Sequence, residues 1–157
     1  MTITLILVGK TDIKHLEALI NDYKKRLSFF VKFEVKIIPD LKKRKNMDVE
    51  LQKEKEGELI LDKISNSDFV VLLDENGVEY SSTKLASWLQ KRMNSGLKNL
   101  IFIVGGPYGF SPEIYARGNQ KLSLSKMTFS HQMIRLFFTE QLYRAFSILK
   151  NLPYHHE

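Results

Sequence analysis

Residues 69–106 read FVVLLDENGVEYSSTKLASWLQKRMNSGLKNLIFIVGG. Two uninterrupted apolar runs, FVVLLD at 69–74 and LIFIVGG at 100–106, flank an amphipathic stretch at 82–96. A run without polar alternation suits a strand buried on both faces. Between them, Asn76-Gly77 predicts a turn, Ser82 a helix cap, and Gly96 a helix end. Strand, helix and strand in that order are the signature of a parallel sheet.

The pattern extends both ways. ITLILV at 3–8 predicts another buried strand and 15–27 a helix with its basic end at the C-terminus, where the helix dipole favours cations. FEVKIIP at 33–39 alternates like a strand and stops at Pro39; 40–48 is a basic loop, and 49–64 a Glu/Lys-rich helix. Beyond 106, Ser111-Pro112 opens a short helix, KLSLS at 121–125 gives a last short strand, and 130–150 a long final helix. The expectation is one α/β domain over 1–157, a mostly parallel sheet covered by helices on both faces.

Bulk properties agree with a soluble, intracellular chain. Of its 157 residues none is cysteine, which removes disulfides and thiolate chemistry. The apolar N-terminus lacks a basic region before it, so it predicts a strand rather than a signal peptide, and no window is long enough to span a bilayer. The net charge of +6 is unevenly placed. Residues 1–45 hold eleven Lys/Arg against five Asp/Glu, 46–81 three against ten, and 82–157 ten against three. A defined positive face suits a polyanion such as nucleic acid; lysine-rich solvated helices would give the same count.

Ligands of open α/β sheets bind beyond the carboxyl ends of the strands. Three such ends carry unusual loops: Leu73-Asp74-Glu75, Gly105-Gly106-Pro107-Tyr108-Gly109, and 122–129. No GxGxxG or GxxxxGK[ST] is present, so neither dinucleotide nor P-loop chemistry is supported. The SLSKMTF loop combines hydroxyls and amides with Met127 and Phe129, which suits a ligand with a flat apolar base and polar edges, although for each of these side chains taken alone core packing is the better reading. The final helix is apolar nearly all round, and covering it predicts a homodimer. His131 and Arg135 share one face near its start, where Arg135 should pair with a carboxylate or await an anion. The tail NLPYHHE adds Tyr154, His155 and His156 but no metal-site spacing, so no metal is expected.

IFIVGGPYGF, LSLSKMTFSHQMIRLFFTEQLYRAFSILKNLPYHHE and the opening ITLILVGK resemble the RlmH family over essentially the whole chain. These are small SPOUT-class methyltransferases of the bacterial large ribosomal subunit. The resemblance implies transfer of a methyl group from S-adenosyl-L-methionine to N3 of a pseudouridine in 23S ribosomal RNA, on the assembled ribosome in the cytoplasm. It also implies a C-terminal trefoil knot, which fold-level rules would not suggest, and a homodimer.

Carried over by position, the methyl donor would contact Leu73, Gly105 and the segment Leu124, Ser125, Lys126, Met127, Thr128 and Phe129. His131, Arg135, Tyr143, Arg144, Tyr154 and His155 match the family's C-terminal motif. Among them His155 is the candidate base and Tyr154 a platform for the target base, both reaching a target held mainly by the partner subunit; His131 would position. Some members carry proline where this chain has Ser130, and both residues tolerate a helix start. Competing readings are a non-catalytic nucleic-acid or nucleotide-binding α/β module, and a SPOUT methyltransferase acting on another RNA.

Overall fold

The computed structural model describes residues 1–41 and 46–156. The basic cluster Lys42, Lys43, Arg44 and Lys45, part of the basic loop expected to meet RNA, lies outside the described residues. In chain order the elements are β1 (Thr2–Val8), α1 (Lys14–Leu27), β2 (Lys32–Ile38), α2 (Val49–Leu61) and β3 (Phe69–Glu79). Then come α3 (Ser82–Asn94), β4 (Asn99–Val104), α4 (Pro112–Arg117), β5 (Gln120–Ser123) and α5 (Met133–Leu149). The sheet order is β2-β1-β4-β3-β5, and every strand pairing is parallel.

Strand composition follows position in that order. β1 and β4 are central, and Leu100 through Val104 are all buried, so an unbroken apolar run is what both faces require. β2 is an edge, and its exposed Lys32, Lys36 and Ile37 reflect that. Side chains alternate across the sheet with a period of two. Ile3, Leu5 and Leu7 of β1 join Phe102, Phe138, Leu142 and Phe146 in one cluster, on the face covered by α1, α3 and α5. Ile6, Val8, Ile101 and Ile103 join Ile60 of α2 and Ile114 of α4 on the other. The expected two-sided covering is what the molecule has.

The boundaries hold three differences from expectation. The helix cap before α3 is Ser81, not Ser82; its Oγ accepts from the Lys84 N–H at 3.2 Å. The final helix begins at Met133 rather than Ser130, because His131 and Gln132 form a turn whose entry Ser130 holds, its Oγ accepting from the Met133 N–H at 3.2 Å.

The third difference shapes the site. Asn76-Gly77 is not a hairpin-like turn: β3 continues to Glu79, with a register shift against β5 between Leu73 and Val78. Gly77 makes this possible. A Cβ there would lie 2.5 Å from the Leu122 backbone, so only a glycine lets the shifted strand run so close beside β5. The irregularity throws Asp74, Glu75 and Asn76 outward at the sheet's carboxyl end.

At its far end α5 closes with a Schellman motif. Asn151, at φ 52°, donates to Ile148 O at 3.1 Å and Leu152 to Ser147 O at 2.9 Å. This turn folds the tail back along the helix. Among the described residues no helix is long and apolar enough to cross a membrane.

Candidate active site

The carboxyl ends of β3, β4 and β5 open into a cavity of about 550 Å³. That volume falls in the range of roughly 300–1,000 Å³ typical of small-molecule sites. Its walls come from the three loops singled out in the sequence. Leu73 through Asn76 come from the irregular stretch within β3, Gly105 through Phe110 follow β4, and Leu122 through Ser125 with Met127 through His131 come from the end of β5 and the loop after it. Gly109, at φ 81°, holds a backbone conformation that favours glycine and turns its loop back on itself, its N–H donating to Gly106 O at 3.2 Å.

The loop after β5 is ordered by its own hydroxyls. Ser123 Oγ donates to Ser125 O at 2.9 Å, and Ser125 Oγ accepts from the Met127 N–H at 2.9 Å. Met127 is 75% exposed at the cavity mouth, and the Phe129 ring packs on Phe137 of α5 at 4.8 Å between centroids. Neither is core. Of the eight residues expected around the methyl donor, Leu73, Gly105, Leu124, Ser125, Met127, Thr128 and Phe129 line this cavity, and Lys126 does not. The cavity offers aliphatic walls, bare glycine backbone and hydroxyls, a fit for an adenosyl group and its polar ribose and amino-acid ends.

A second cavity of about 400 Å³ shares Pro107, Tyr108 and His131 with the first. Lys10, Asp12, Asp40, Gln52, Glu56 and Gln132 make the rest of its wall largely polar. Sequence reasoning missed it, because its residues come from the ends of β1 and β2 and from the buried side of α2. The signal available was the buried Gln52–Glu56 pair at helical spacing, in which Gln52 Nε2 donates to Glu56 Oε1 at 2.8 Å.

Arg135 sits behind both cavities, fully buried. Its partners are neither a carboxylate nor an anion. The guanidinium donates to Val8 O at 2.7 Å, Gly9 O at 3.0 Å, Thr11 Oγ1 at 3.1 Å and His131 O at 3.0 Å. Burial lowers its pKa, and the charges of Asp12 and Asp40 oppose that shift. Gln132 repeats the theme, accepting from Asp12 N–H at 3.0 Å and donating to Lys10 O at 3.1 Å. The start of α5 is thereby fastened to the end of β1, and His131 is set where the two cavities meet.

Tyr154 and His155 line neither cavity of their own chain. The folded-back tail lies on α1 and α5. Tyr154 donates to Glu140 Oε1 at 2.9 Å, which leaves the Tyr23 hydroxyl to donate to Tyr154 across 3.0 Å. The Tyr154 ring packs edge-on against Tyr143 at 4.8 Å, and Arg144 lies 4.8 Å from its centroid. Arg144 also donates to Glu140 Oε1, and its Nη1 lies 3.4 Å from His155 Nδ1. Burial, then the bonds to Tyr23 and Glu140, push the Tyr154 phenol well above the usual tyrosine range. Within one chain the tail and the larger cavity stay separate.

Comparison with known proteins bears on this arrangement. The family described as "Predicted SPOUT methyltransferase" matches residues 1–155. The Ribosomal RNA large subunit methyltransferase H of Christiangramia forsetii is 68% identical over 156 residues, 99% of each chain. That of Flavobacterium johnsoniae is 61% identical and that of Bacteroides thetaiotaomicron 51%, each over 157 residues and 100% of both chains.

Proposed function

The chain belongs to the SPOUT methyltransferase family, and we propose that it methylates N3 of a pseudouridine in 23S ribosomal RNA on the assembled ribosome, using S-adenosyl-L-methionine. The observation that carries this reading is the 550 Å³ cavity, walled by seven of the eight residues expected to hold the methyl donor. When bound, the donor supplies a methyl group already activated on its sulfonium. The protein's task is therefore alignment and proton removal.

Holding two reactants in line is worth about 7–11 kcal/mol in favourable systems, which makes orientation the leading contribution. Leu73, Leu124, Met127 and Phe129 present apolar surface for the adenine, and the backbone of Gly105 with the Ser125 and Thr128 hydroxyls suits its polar ends. His131 stands at the junction with the second cavity, from which the target base would approach. Arg135, each of whose guanidinium nitrogens donates to a protein oxygen, is a positioning residue: it sets His131 without touching a substrate.

His155 is the group proposed to take the N3 proton, since a histidine titrates nearest the working pH. It lies outside its own chain's cavity, so the site is composite and the partner subunit of a homodimer brings the tail. The half-exposed Leu136 and the Phe137 ring, 37% exposed beside Phe129, give α5 an apolar outer face for that partner. With Tyr154 occupied by Tyr143, Arg144 and Glu140, its part is to fix the tail rather than to stack on the base. The trefoil knot implied by the family belongs to the same proposal, as does action in the cytoplasm.

Ribosomes from cells lacking this protein, incubated with the purified chain and isotopically labelled methyl donor, test the reading. The label should appear on one modified uridine of 23S RNA, located by mass spectrometry of nuclease fragments. Label on another RNA, or none, overturns it.

A further inference from the structure

The larger cavity carries a charge that alignment alone does not use. Among its described lining residues Asp74 and Glu75 are the only carboxylates, and no lysine or arginine joins them. Asp74 is held rigidly. Its Oδ1 accepts from the Asn76 N–H at 2.9 Å and its Oδ2 from the Tyr115 hydroxyl at 2.7 Å. Tyr115 is itself fixed edge-on against Phe110, at 5.7 Å between centroids. Its phenol is pushed up to about 12, first by burial and then by the bond to Asp74, as expected beside an ionised carboxylate. Lys121 Nζ lies 5.8 Å from the Tyr115 ring centroid, and Lys121 is not part of the cavity wall.

We infer that Asp74, seconded by Glu75, makes this cavity select the cationic methyl donor over its own demethylated product. The inference rests on the reading of the cavity as the donor site. S-adenosylmethionine carries a sulfonium and an ammonium against one carboxylate, a single net positive charge. Methyl transfer moves the carbon from sulfur to nitrogen and leaves the C–S electron pair on sulfur, while the N3 proton departs to a base. The product thioether is neutral at sulfur and the molecule has no net charge. Adenine, ribose and amino-acid ends are common to both, so contacts to those parts cannot tell them apart.

Charge can. A unit charge about 7 Å from a carboxylate, at an intermediate effective dielectric, changes affinity by about fivefold to tenfold. Turnover thus removes the attraction that recruited the substrate, and product leaves for fresh donor without a conformational change. Asp74 and Glu75 act on binding and exchange, not on the reacting atoms.

Isothermal titration of the full-length protein separates the possibilities. The ligands are S-adenosylmethionine, S-adenosylhomocysteine and the amine analogue bearing C–NH3⁺ in place of the sulfonium. In Asp74→Asn the two cations should weaken by about fivefold to tenfold while the product moves less than twofold. Glu75→Gln, on an exposed side chain, should show the same sign with a smaller change, and added salt should erode the preference in the wild type. Equal weakening of all three ligands would overturn the inference, because Asp74 would then be reading a shared group. Failure of the wild type to bind any of them would instead remove the donor-site reading, and this inference with it. Thermal melts of both variants guard against loss of fold.

Discussion

Arg135 Nη2 donates to the carbonyl oxygen of Val8 at 2.7 Å, joining the first turn of α5 to the last residue of β1. The bond is one of four made by a fully buried guanidinium, and two of them, to the Val8 and Gly9 carbonyls, are themselves buried. A lysine carries the charge but not the planar fork. Arg135→Lys should therefore strand at least two buried carbonyls, at a cost of about 3 kcal/mol or more. For a domain of this size that corresponds to a fall in Tm of about 6–12 °C. Differential scanning calorimetry measures it; a fall below about 2 °C would mean the bonds are replaceable.

Gly77 is the second point of intolerance, for a steric reason. An alanine Cβ would come within 2.5–2.6 Å of Leu122 C and N and of Ser123 N, all backbone atoms that cannot swing aside. Gly77→Ala should cost about 1–3 kcal/mol or slightly more, through displacement of β5. Because Leu122 and Ser123 also wall the larger cavity, affinity for S-adenosylmethionine should fall with it. Paired calorimetric measurements of Tm and of binding check both halves. A variant with unchanged affinity would show that β5 yields without disturbing the cavity.

How much of this was readable beforehand follows from where each constraint comes from. β1 and β4 are legible because a strand buried on both faces leaves no choice but apolar residues along its length. The larger cavity is legible in outline because ligands of such sheets gather at strand ends, where Gly105, Gly106 and Gly109 stand together. The continuation of β3 through Asn76-Gly77 is not, since the pair favours a turn locally and only the close neighbour Leu122 decides otherwise. Arg135 shows the limit best. Its need for partners is plain from its place in an apolar helix, but the partners lie 126 and 127 residues away, and no local pattern encodes them. The tail is similar, since Tyr23 meets Tyr154 across 131 residues.

Alkaline pH should destabilise the protein through Tyr115, which is partly exposed, and the half-buried Tyr154. The Tyr115 phenol rises from 10.0 to about 12 in the folded chain, by burial and the bond to Asp74, and Tyr154 moves the same way. The folded state then holds protons that the unfolded chain has released. Stability is fully present below pH 10 and falls as pH rises from 10.0 towards 12. Urea denaturation at a series of pH values should show that decline, and Tyr115→Phe should flatten it. A slope unchanged in the variant would assign the alkaline loss to other groups.

The tail supplies the sharpest test of a shared active site. Tyr154 is anchored by Tyr23 and Glu140 on its own chain, and neither it nor His155 borders either cavity there. Removing residues 154–157 should abolish methylation while leaving methyl-donor affinity within about twofold, because no cavity wall is lost. Glu140→Gln, which weakens the anchor but keeps every tail residue, should lower kcat and leave donor binding alone. A variant such as Gly105→Val, whose side chain would crowd the Phe110 ring and the Gly109 carbonyl, should lose donor binding instead. The tail-less chain and Gly105→Val are then inactive for different reasons. If the tail of one subunit serves the cavity of the other, mixing the tail-less chain with Gly105→Val must restore part of the activity, since one of the two sites in a mixed dimer has both an intact cavity and an intact tail. A mixture as dead as its components, after subunit exchange has been verified by mass spectrometry, would place the tail and the cavity it serves in the same chain.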